Sequence, residues 1–197
     1  ALFKHLASWG FIVIGNEDPS TYSGSSADTT LAWLLNENEN PDSRFYQKVD
    51  TEHIGISGHS QGGVGVFNAI SEQPHSGLYT CAVSLSPTQQ DWAEALKIPY
   101  DPAQTRIPTM VLAGVENDVI TPEGAQKLYD AIDARKVLAL RTNVDHGKML
   151  YSADGYVTAW FLWLLKDDAE AAWAFTGDAP ELLSNPLYQN QQIQFAE

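Results

Sequence analysis

The sequence predicts an α/β fold with a mostly parallel sheet, and three features point there. Short β-rich runs alternate with helix-like segments along the whole chain. Several runs are apolar throughout rather than at every second position, the pattern of strands buried on both faces. One run, "HIGISG", turns abruptly into an apolar-periodic segment through "GHSQGG", which puts a serine where a strand meets a helix.

In order, "ALFKHLASWGF" reads as the inside of an amphipathic helix, with Leu2, Phe3, Leu6 and Trp9 on one side and Gly10 as the stop. No strand precedes it and it lacks an initiator Met, so the chain is expected to begin after its natural start. "FIVIGNE" is expected to be a buried strand, followed by the polar loop "STYSGSSADTT" and a helix capped by Asp28 or Thr29. "HIGISG" and "QGGVGVFNAISEQ" form the next strand and helix. "LYTCAVSLSP" and "RIPTMVLAGVEND" are further strands, the second with a proline at its edge. "TPEGAQKLYDAIDA" has Pro122 and Glu123 in its first turn, good chemistry for a helix start. "KVLALRTNVDH" is a fifth strand, "GYVTAWFLWLLKDDAEAAWAF" one long helix, and the remainder a polar, loop-rich tail.

Composition narrows the function classes. The 197 residues suit a single domain, residues 1–197, and 44% hydrophobic content argues against disorder. A net charge of −14 repels phosphate backbones, so nucleic acid and anionic membranes are not expected partners. No apolar run approaches the roughly 20 residues needed to span a bilayer. Cys81 is the only cysteine, which excludes an intrachain disulfide and a Cys-rich zinc site, and it reads as a buried strand residue.

Gly58-x-Ser60-x-Gly62, with a strand before and a helix after, is the nucleophile-elbow pattern. A strained turn would lift the serine hydroxyl above the sheet, and a side chain at either glycine is expected to clash with the neighbouring backbone. The N–H of Gln61 would point at a developing oxyanion, aided by the helix dipole. A serine needs a base, and the base needs an orienting carboxylate, in the chain order Ser, acid, His. Of five histidines, His5, His53 and His59 precede the serine. His59 is next to it, but adjacent residues on a tight turn point apart. His75, in "SEQPHSGLY", is expected to be solvated. His146 directly follows the last strand, where a base above a parallel sheet belongs. For the acid, Asp118 lies just past the fourth strand and is preferred over Glu116, two residues away along the turn, and over Asp145, which adjoins His146 and is expected to be solvated or to fix the loop. Trp160, Trp163 and Trp173 follow helical spacing and are expected to pack in the core or on their helix rather than stack on a substrate.

These stretches, with "HLASWGFIVI", "LSPTQQDW" and "IPTMVLAGVENDVITP", resemble the α/β-hydrolases, more narrowly the dienelactone-hydrolase and cutinase-like polyester hydrolase branch. The resemblance runs over nearly the whole chain. It implies serine-dependent hydrolysis of a small or polymeric ester through an acyl-enzyme, with no metal and no organic cofactor. By position it makes Ser60 the nucleophile, Asp118 the acid, His146 the base and the Gln61 N–H one oxyanion donor. It also places Trp92 near an acyl-binding tryptophan of polyester-cleaving relatives, against which stands simple packing of its own helix. The family's second oxyanion donor lies on a loop upstream of Ala1, and its opening strands, one between "FIVIG" and "HIGIS", are not in this sequence. The C-terminal disulfides common in the cutinase branch cannot form here. Only about twenty residues separate "LSP" from "RIP", too few for a large lid, so an open site is expected. The rivals are acyl transfer to an acceptor other than water and a non-catalytic binding protein of the same fold.

Overall fold

The computed structural model describes residues 2–195. The elements are α1 (Leu2–Ser8), α2 (Ser25–Glu39), β1 (Ile54–His59), α3 (Gln61–Glu72), β2 (Tyr79–Leu85), α4 (Gln90–Ala95), β3 (Thr109–Glu116), α5 (Pro122–Ala131), β4 (Lys136–Asp145), α6 (Met149–Ser152), α7 (Asp154–Lys166), α8 (Ala169–Ala172), α9 (Glu181–Ser184) and β5 (Tyr188–Gln194). The strands form one sheet in sequence order, β1 to β4 parallel and β5 antiparallel on β4. Side chains alternate between its faces. Met110, Leu112, Val137 and Ala139 pack with α7 through Val157, Trp160 and Phe161. Val111, Ala113, Leu138 and Leu140 pack with Val64 and Phe67 of α3 and Leu128 of α5. Burial on both faces explains why these strands read as unbroken apolar runs. Cys81 is fully buried in β2.

The local signals explain most element ends. Gly10 ends α1 at φ +80, and the N–H of Phe11 reaches back to Leu6 O. Thr121 caps α5 by accepting the N–H of Gly124, with Pro122 in the first turn. The C-terminal end of α5 is closed by Lys136, whose ammonium donates to the carbonyls of Tyr129 and Ile132.

Five expectations need correction. Residues 11–18 form no strand: among the described residues no strand pairs with them, and an extended segment without a ladder is not a strand. The second helix begins at Ser25 behind Gly24, so neither Asp28 nor Thr29 caps it; Asp28 is buried in its first turn. His75 is not a solvated loop residue, because its Nδ1 and its backbone N–H both bond Asp28 Oδ1. The expected long final helix breaks at Asp167, which takes φ +52, and Trp173, beyond the break, is 69% exposed. The polar tail contains α9 and β5, whose glutamines suit an edge strand with one solvated side.

The strand expected over Phe11 to Glu17 is absent among the described residues, and the β1 edge of the sheet faces this segment. β1 pairs only with β2 among the described residues, and a groove of about 700 Å³ is lined by β1 and by residues 10–16.

Candidate active site

β1 ends at His59, and Ser60 follows at φ 60, ψ −122, outside the regions ordinary residues occupy. The turn is held by backbone: Ser60 N–H donates to Leu85 O at the end of β2, and Gly63 N–H and Val64 N–H donate back to Ser60 O. A Cβ on Gly58 would lie 2.1 Å from Gly62 O, so glycine is required there. At Gly62 the nearest atom to such a Cβ is Thr21 Oγ1 at 3.6 Å, which is ordinary contact. The expectation that both flanking glycines avoid a clash therefore holds at Gly58 and fails at Gly62. Gln61 is the first residue of α3, so its N–H has no partner within the helix and lies at the positive end of its dipole.

The C-terminal ends of β3 and β4 bring two more side chains to this point. His146 Nε2 is 2.9 Å from Ser60 Oγ, and His146 Nδ1 is 2.8 Å from Asp118 Oδ1. A carboxylate only accepts, so Nδ1 carries the proton and Nε2 offers its lone pair to the serine hydroxyl. The Asp118 side chain is 1% exposed and that of His146 25%, which seals the acid from water while the imidazole stays reachable. Asp118 is satisfied on all sides: Ser86 Oγ donates to Oδ2 at 2.6 Å, Gly114 N–H to Oδ2 at 2.7 Å and Val119 N–H to Oδ1 at 2.7 Å. Such a carboxylate can orient an imidazole and stabilise its charged form.

The other acids lie elsewhere. Asp145 bonds the Lys148 backbone N–H and ammonium, both within its own turn, and Glu116 is exposed at the end of β3. Trp92 stands on α4 with 44% of its surface exposed. Its helix is tied to the Asp118 loop through Gln89, whose N–H donates to Val119 O and whose side-chain oxygen accepts the Thr121 N–H.

Two neighbours escaped the sequence reading. Ser86, directly after β2, holds the Asp118 carboxylate; the strand-end criterion that picked out His146 also applies to it. His59 does not point away from the site. Its ring packs on His146 with centroids 4.4 Å apart, and its Nε2 bonds His146 O at 2.8 Å. Across the turn at Ser60, with φ 60 and ψ −122, both side chains reach His146, Ser60 its ring and His59 its carbonyl.

A sequence model of the PET hydrolase-like family matches residues 2–184. The chain belongs to that family. No curated protein matches it. Membership in the PET hydrolase-like family makes it an ester hydrolase of the α/β-hydrolase type, and the mostly parallel sheet flanked by helices agrees with that fold. Small or polymeric esters are thus its substrate class. No helix among the described residues is long and apolar enough to cross a membrane.

Proposed function

We propose that this ester hydrolase is a serine carboxylesterase that works through an acyl-enzyme, with Ser60 as nucleophile, His146 as base and Asp118 as the orienting acid. The observation that carries the proposal is the continuous hydrogen-bonded path from Ser60 Oγ through His146 to Asp118, at 2.9 and 2.8 Å, above the C-terminal edge of a parallel sheet.

His146 Nε2 takes the Ser60 proton as Oγ attacks the ester carbonyl. The tetrahedral oxyanion receives the Gln61 N–H, and Asp118 stabilises the imidazolium. Collapse expels the alcohol, which leaves with the proton from His146. Water, deprotonated by His146, then attacks the acyl-enzyme and returns Ser60. Between β2 and β3 the chain is short and partly committed to the core, with Ile98 and Tyr100 buried and Tyr100 stacked on Phe67. That supports a site without a large lid, which suits a polymeric ester as well as a small one. Trp92, exposed on this segment, is the proposed acyl contact.

A fluorophosphonate probe tests the nucleophile. Wild-type protein is expected to be labelled at Ser60 and the Ser60→Ala variant to stay unlabelled; an unlabelled wild type, or equal labelling of both, overturns the proposal. A p-nitrophenyl ester chain-length series beside a polyester film then ranks small against polymeric substrates, and product analysis with added alcohol separates hydrolysis from acyl transfer.

A further inference from the structure

We infer that His59 is a positioning residue for His146, tying the backbone of the base to the strand end that carries the nucleophile. The inference rests on the triad proposed above and extends it by one residue.

The bond has only one chemical sense. The His146 carbonyl can only accept, so His59 Nε2 must carry a proton and donate across the 2.8 Å contact. Burial pushes the imidazole below its ordinary 6.5 and so favours the neutral ring, with its single proton on Nε2. Its partner is the first residue after β4, in a turn where Asp145 also bonds the N–H and the ammonium of Lys148. Asp145 fixes that turn to itself. His59 fixes it to β1.

This matters because Ser60 and His146 belong to different elements and stand 86 residues apart in sequence. His59 is covalently joined to Ser60 and hydrogen-bonded to the base's own carbonyl, so one strand end sets both positions. The ring contact, with planes tilted by 32°, adds a second restraint from the same side chain. A base that must hold one proton between serine and leaving group is sensitive to small displacements, and a shift of about 1 Å can cost roughly a hundredfold in rate.

Two variants separate the donor from the ring. His59→Gln keeps an N–H near the same place and loses the ring; His59→Phe keeps a ring and loses the donor. His59→Phe is expected to lower kcat, and the rate of fluorophosphonate labelling, by about ten- to a hundredfold with KM little changed. His59→Gln is expected to recover most of that loss. Wild-type kcat in His59→Phe overturns the inference, as do equal losses in both variants that follow their melting temperatures. A measurement needing no variant stands beside these: long-range ¹H–¹⁵N spectra of the wild type at pH 8 should show His59 as the Nε2–H tautomer, and an Nδ1–H tautomer overturns the inference. Failure of the wild type to label at Ser60 is a separate result that removes the proposed function and this inference with it.

Discussion

The two glycines of the elbow should respond to alanine in opposite ways. At Gly58 an added Cβ would meet Gly62 O at 2.1 Å and its carbonyl carbon at 2.4 Å, whereas ordinary contact starts at 3.4 Å. Both atoms are backbone in the first turn of α3, so relief requires β1 and α3 to part by about 1.3 Å. Overpacking of this kind costs about 1–3 kcal/mol. For a chain of this size that is a fall of roughly 2–12 °C in Tm. The same movement shifts Ser60 from His146, and under the proposed mechanism it also shifts the Gln61 N–H from the oxyanion; a displacement near 1 Å costs about a hundredfold in rate. At Gly62 the nearest atom is 3.6 Å away, and the residue lies in a helix where alanine is favoured over glycine by up to about 1 kcal/mol. Gly62→Ala should therefore keep acylation within about threefold and leave Tm equal or higher. The assay is the rate of fluorophosphonate labelling, which isolates the acylation chemistry, paired with thermal unfolding of each variant. Gly62→Ala losing as much as Gly58→Ala, or Gly58→Ala labelling at the wild-type rate, would refute the steric account of the elbow.

Ser86→Ala removes a donor from a buried carboxylate and should destabilise by about 1.5–3 kcal/mol, since bonds to charged groups are the stronger ones; an unchanged melting temperature contradicts this. Cys81 is buried in β2 and burial pushes its thiol up, so native protein should resist Ellman's reagent at pH 8 while unfolded protein reacts with one equivalent; rapid native reaction would show that β2 opens readily. His59 sits below its ordinary 6.5 because of burial, so the unfolded chain binds the extra proton first as pH falls. Stability from this group is complete above about 6.5 and declines as pH drops toward the folded value. Comparing wild type with His59→Gln by denaturant unfolding across this range cancels the other groups, and a difference independent of pH contradicts the neutral, buried assignment.

What could be read from sequence was whatever depends on near neighbours along the chain. β1 to β4 and the helices behind them carry their apolar pattern, caps and prolines locally, and Thr121-Pro122 marks the start of α5 in both sequence and structure. Ser60, Asp118 and His146 could be selected together as candidates because a parallel sheet collects loop side chains at one edge and chain order then leaves few choices, and the structure brings the three within hydrogen-bond reach. What could not be read depends on partners distant in sequence. β5 is polar and becomes a strand only because β4 offers it an edge. Residues 11–18 have strand chemistry and no ladder to join. The partner of His75 is 47 positions away, and that of His59 is 87.

The position of β1 bears on how the elbow is held. β1 leads into Ser60, the proposed nucleophile, and among the described residues its ladder runs on one side only, to β2. The bonds from Ser60 to Leu85 and from Gly63 and Val64 to Ser60 hold the turn against a backbone strain of about 1–3 kcal/mol. On the other side lies the groove, with apolar Phe3 and Ile12 exposed at it. An open strand edge flanked by apolar surface is also a place where a further strand can add. Among the described residues the elbow is held through β2, α3 and the bond from His59 to His146.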